Sequence, residues 1–262
     1  VLRVDYQRGE EDAFYHKYEY DGKNRLINVS TSTDGIIWDE DANYSYYPHG
    51  PLARIELANS KVQGLDYAYT LNWWLKSING SHQYADIGSD FNKNNETAED
   101  VFGSLIAYND IDYQSIGDVN NLLIEDTSGI VFPQLYNGNI GGQVNHRLNA
   151  TQESSDLAKA YTYDQLNRIR GSYEYEVDAD SLVIGNSLSN ENSTFYAYDK
   201  DGNLTSLDRV NGDSTALMDD LTYHYKSGTD QLTHVDDQIA STNFSNDLNQ
   251  QKPNNYSYDK IG

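Results

Sequence analysis

The sequence predicts an all-β fold of stacked antiparallel β-hairpins. Three observations predict it: a surplus of tyrosine, a motif that returns along the chain at one internal spacing, and turn chemistry inside that motif. Tyrosine occurs 23 times in 262 residues, against 6 Phe and 3 Trp. Its ring packs like a hydrocarbon while its hydroxyl needs a partner, which suits a strand with one packed face.

The fullest copy of the motif is Tyr196-Ala197-Tyr198-Asp199-Lys200-Asp201-Gly202-Asn203-Leu204. The same offsets recur at Tyr18, Tyr20 and Asp21 with Leu26, and at Tyr161, Tyr163 and Asp164 with Ile169. Looser copies start at Tyr44, with Tyr46, and at Tyr67, with Tyr69. Tyr223 and Tyr225 carry Leu232 one place late, and Tyr256, Tyr258 and Asp259 begin a copy that meets the chain end at Gly262.

Each part has a mechanical reading. Tyrosines at i and i+2 share one face of a strand. Aspartate then accepts bonds from nearby backbone amides, and Gly or Asn tolerates positive φ, as a tight hairpin turn requires. Asn24, Trp73 and Asn167 stand in the turn-glycine place, and Tyr47, Thr70 and Lys226 in the aspartate place. Leu204, Leu26 or Ile169 starts the return strand with an apolar anchor. A lone hairpin buries too little to be stable, so the units must stack on one another.

This divides the chain into repeats over 1–80, an insert or divergent repeats over 81–160 with a polar loop near 88–100, and repeats again over 161–262. Within the middle segment, Val101–Tyr108 and Leu135–Ile140 read as strands with turns, the second holding an Asn-Gly turn signal. Thr151 to Ala160 reads as a short helix leading into the Tyr161 strand.

The formal net charge is −23, which disfavours nucleic acid and anionic membranes, since both need cationic clusters. No cysteine is present, so no disulfide framework is available. No apolar run approaches the roughly 20 residues that span a bilayer, and both ends read as cut from a longer chain.

The Y-x-Y-D-x-x-G-N-L copies around Tyr18, Tyr161, Tyr196 and Tyr256 resemble the Rhs or YD repeats of bacterial polymorphic toxins, toxin-complex proteins and the teneurins. Val62–Lys76 and Leu135–Ile140 resemble a variant of the Bacteroidetes type. The resemblance implies a spiralling sheet that walls a hollow shell in a secreted or surface-exposed protein. It implies as partners the neighbouring repeats and a C-terminal toxin or polypeptide cargo of the same parent chain. Fold alone does not assign a job, and no catalytic residue or cofactor is implied.

Other constellations in the sequence read as packing or turn residues. The histidines at 16, 49, 82, 146, 224 and 234 are scattered, and although His224 and His234 can approach across a hairpin, they read as surface or packing residues. Asp199–Asn203 and Asp39–Asn43 alternate oxygen ligands as calcium loops do, yet neither completes that pattern. No metal site, nucleophile elbow or phosphate loop stands out. The alternative function is an adhesin-like module that binds glycan or a partner protein through aromatics. Trp73 and Trp74 are its candidate residues, read as one indole on each face of a strand.

Overall fold

The computed structural model describes residues 2–80, 87–88, 97–113, 132–148, 154–178, 183–184, 192–212, 216–240, 243–244 and 250–259. The described residues contain strands and no helix, and the ladders between strands are antiparallel. The chain divides into two compact units, Val1–Glu125 with Gln143–Asp156, and Asp126–Gly142 with Leu157–Gly262.

In the first unit, β1 (Arg3–Tyr6), β2 (Phe14–Tyr20), β3 (Leu26–Ser32), β4 (Asp39–Tyr46) and β5 (Leu52–Leu57) lie side by side in chain order. They are followed by β6 (Gln63–Tyr69), β7 (Leu75–Ile78), β8 (Phe102–Ala107) and, from Gln143 onward, β9 (Gly142–Leu148). The second unit holds most of β10 (Ser154–Tyr163), then β11 (Ile169–Asp178), β12 (Val183–Ile184), β13 (Thr194–Tyr198), β14 (Leu204–Val210), β15 (Leu217–Tyr225) and β16 (Leu232–Asp237). There too neighbours in sequence are neighbours in the sheet, except that β11 pairs both β12 and β13. Meander order follows from the motif, because each tight turn returns the chain beside the strand it has just left.

The hairpins share one register. Tyr20 pairs Leu26, Tyr46 pairs Leu52, Tyr69 pairs Leu75, Tyr163 pairs Ile169 and Tyr198 pairs Leu204, each beside a β-bulge. Tyr225 pairs Leu232, one place later, as its spacing predicts. The bulge is the structural form of the turn signal. Asn24, Trp73, Asn167 and Gly202 hold φ of 61°, 67°, 63° and 97°, the left-handed position that closes a type I turn with one extra residue.

The two faces of the first unit differ. Tyr18, Val29, Ala42 and Leu57 face one another across successive strands, as do Tyr44, Ile55 and Leu65. The opposite face is polar: Asn28 pairs Asn43, Asn43 pairs Glu56, and Arg54 pairs Asp66. In this unit the deepest burial among the described residues falls at Leu105 and Ser77 (0% exposed) and at Val144, Lys76, His146 and Asp100 (1%). In the second unit Ala158, Ala160, Tyr175 and Leu221 are buried.

Two expectations are corrected. The helix expected over Thr151–Ala160 is strand β10 from Ser154 onward, because Leu157 to Tyr163 pair with β11 and that ladder outweighs local helix propensity. Leu135–Ile140 lies outside any strand. Its Asn-Gly signal does make a turn, with Gly138 at φ 89°. The strand expected over Val101–Tyr108 is β8, and most of the loop near 88–100 lies outside the described residues.

Candidate functional site

What the motif residues build together is a clasp between one hairpin and the next. It begins at the aspartate. Asp21 accepts from the Lys23 and Arg25 amides at 2.8 and 3.0 Å and from Arg25 Nε at 2.7 Å. Asp164 does the same with Leu166 and Arg168, and Asp199 with Asp201 and Asn203. These bonds favour the charged carboxylate. The Arg25 amide holds Asp21 below the ordinary carboxylate value, the Arg168 amide does so for Asp164, and the Asn203 side chain leads for Asp199.

The residue after the turn then reaches the following repeat. The Arg25 guanidinium lies 4.4 Å from the Tyr46 ring centre and donates to the Gly50 carbonyl at 3.4 Å. Arg168 repeats this on Tyr198 at 4.7 Å and on the Asp199 carbonyl at 3.0 Å. Asn203 donates to Asp230 at 2.8 Å. A cation held by its own turn aspartate and laid on the next repeat's tyrosine gains from both charge and the ring face.

At four pairs the second tyrosine completes the clasp in the reverse direction. The hydroxyls of Tyr46, Tyr225 and Tyr258 donate to the carbonyls of Leu26, Leu204 and Leu232 at 2.7, 2.8 and 2.8 Å, the apolar anchors of the preceding hairpins. Tyr163 donates to Ile140 at 2.9 Å. Phe packs equally well at these positions but carries no donor, which is a reason for tyrosine there. Tyr225→Phe is expected to lower stability by about 0.5–1.5 kcal/mol. Its urea midpoint measures this, and an unchanged midpoint would remove the hydroxyl from the account.

The remaining repeat residues fall into place around this. Tyr67, Tyr161 and Tyr196, first of their pairs, are half-buried, and Tyr18 stacks on His16 with ring centres 6.2 Å apart. Tyr69 is half-buried and Tyr20 is exposed. Tyr256, Tyr258 and Asp259 lie outside any strand, but the Tyr256 amide donates to the Thr233 carbonyl at 3.2 Å. Gly262 lies outside the described residues.

A further copy, divergent enough to escape the motif, spans the end of β8 and the turn after it. Ile106, Tyr108, Asn109 and Asp112 occupy the motif offsets, with Ile in place of the first tyrosine and Asn in place of aspartate. Asn109 accepts from the Ile111 amide at 3.2 Å, the Asp112 amide donates to the Asn109 carbonyl, and the Tyr108 hydroxyl donates to Leu75 at 3.0 Å. An apolar residue two places before Tyr-Asn was the available signal.

Trp73 and Trp74 do not straddle a strand as expected. Trp73 sits at the left-handed turn position, 60% exposed and edge-on to His49 at 6.0 Å. Trp74 is half-buried against Tyr108, ring centres 5.0 Å apart. Neither calcium candidate makes a loop of open oxygens. The Asp199 carboxylate is taken up by its own turn, while Asp39–Asn43 lies in β4, where alternation sends successive side chains to opposite faces.

On the face of the second unit opposite the tyrosine pairs, Thr162, Tyr173, Phe195 and Asp208 line a shallow cleft. Burial, and then the charge of Asp220 across the ladder, raise the Asp208 carboxyl above its ordinary value. No family model matches this sequence, and no curated protein matches it.

Proposed function

We propose that this chain is a wall segment of an Rhs-like shell that encloses a C-terminal toxin or polypeptide of the same parent chain, in a secreted or surface protein. The observation that supports this reading is the clasp. The groups that satisfy the anchor carbonyls of Leu26, Leu204 and Leu232 and cover the turn cations Arg25 and Arg168 come from the adjacent repeat, so the chemistry is spent on continuing the sheet. The described motif residues spend their hydrogen bonds on one another and on neighbouring backbone, which supports a structural role. A low-resolution envelope of the longest natural protein containing these residues tests the reading, by electron microscopy or solution scattering. A hollow closed particle with density inside is the expected result, and an extended or solid rod overturns it.

Trp73 supports a second reading, a binding module for glycan or a partner protein. A large aromatic at positive φ costs about 1–2 kcal/mol relative to an ordinary conformation, so its presence at an exposed hairpin tip beside His49 calls for a return. Trp73→Gly relieves that strain while losing the indole packed on Gly50, and is expected to leave stability within about 1 kcal/mol of the parent. Retention on a glycan array that disappears in this variant would favour the binding module. Absence of retention by the parent chain removes it.

A further inference from the structure

We propose that His224, His234 and Asp236 form a binding site for a divalent transition metal of the zinc type, pinning the β15–β16 hairpin. His224 and His234 are directly opposed across that ladder, and Asp236 lies two residues beyond His234 on the same face. Their ligand atoms all lie within 4.8 Å of one another. His224 Nε2 is 2.9 Å and His234 Nε2 3.7 Å from the same oxygen, Asp236 Oδ2.

A second group selects the tautomer. The Thr233 hydroxyl donates its single proton to the His224 carbonyl at 2.9 Å, so its oxygen, 3.0 Å from His234 Nδ1, must accept from Nδ1–H. A neutral His234 so held carries its lone pair on Nε2, on the side of the carboxylate. Two lone-pair atoms facing each other repel unless something positive lies between them. An outer hydrogen bond that leaves Nε2 as the donor atom is the arrangement metal-binding histidines use.

Two imidazoles and one carboxylate suit zinc, nickel or copper(II), whereas magnesium and calcium prefer oxygen alone. The His224 and Asp236 side chains are 41% and 37% exposed, which leaves water to complete the coordination. The rings are now stacked, 4.4 Å apart and within 8° of parallel. Imidazole lone pairs lie in the ring plane, so coordination turns the two rings out of parallel, and half-exposed His224 has room to do so. The site stands apart from the shell reading, since it needs only the hairpin.

The test is calorimetric titration of the metal-stripped chain with zinc chloride at neutral pH. One zinc per chain with a dissociation constant near micromolar is expected. His224→Ala, His234→Ala and Asp236→Asn should each weaken it at least tenfold, and Thr233→Val by about tenfold. His49→Ala should leave it unchanged, and circular dichroism on each variant confirms that the sheet persists. Stoichiometric binding that survives in the His224→Ala/His234→Ala double variant overturns the site. So does binding by the parent chain no tighter than millimolar.

Discussion

Asp112→Ala is expected to cost about 3–5 kcal/mol, the range for removing one partner of a buried ion pair. Lys76 Nζ lies 2.7 and 3.0 Å from the two Asp112 oxygens, and both side chains are 1% exposed. Asp112 also accepts the Tyr108 amide at 2.8 Å, so the truncation strands a buried cation and a buried N–H together. Burial already pushes the Lys76 ammonium below its ordinary value, and the bond from Asp112 is what opposes that. Lys76→Met/Asp112→Asn removes the charge while keeping an acceptor for Tyr108, and is expected to recover most of the loss. Urea unfolding read by tryptophan fluorescence is the measurement, because Trp38, Trp73 and Trp74 all lie in the first unit. A loss below about 1 kcal/mol for Asp112→Ala would mean that water reaches Lys76 and the pair is not a structural element.

The second large effect is alkaline unfolding. Burial raises the phenol pKa of Tyr46, Tyr47, Tyr67, Tyr69, Tyr108 and Tyr113 in the first unit. It does the same for Tyr161, Tyr163, Tyr175, Tyr198, Tyr223 and Tyr225 in the second. Below the ordinary value of 10.0, native and unfolded chains hold the same protons on these groups and stability is intact. Above it the unfolded chain ionises first, binds fewer protons than the native one, and stability falls as pH climbs through the raised native values. The groups share neighbouring rungs, so losing one exposes the next. The expected result is a delayed, steep rise in tyrosinate absorbance that coincides with loss of the β-sheet circular dichroism. A gradual titration centred on the ordinary value with the sheet intact would show that the rings are wet. At the acid end, Asp21, Asp164 and Asp199 are held below their ordinary 3.8. Their contribution is present above that value and fades as pH falls through the native ones. It should be the smaller effect, because these carboxylates sit at the surface.

What the sequence by itself determined was local. An aspartate with Gly or Asn three places on specifies a turn, since few residues accept positive φ, and two tyrosines at i and i+2 specify one face of a strand. Even the late Leu232 was legible as a longer turn. Tertiary structure decided the rest, because it depends on which strand lies alongside. Ser154–Tyr163 is a strand through its ladder with β11 rather than through its own propensity. Trp73 became a turn residue and Trp74 a ring packed on Tyr108, although adjacent positions on a strand would have split them across its faces. The partners of the tyrosine hydroxyls lie 20 residues upstream at Tyr46 and 26 at Tyr258. Lys76 meets Asp112 across 36 residues. Such pairs satisfy buried polar groups, and a buried polar group takes whatever partner folding brings within reach, which no spacing along the chain records.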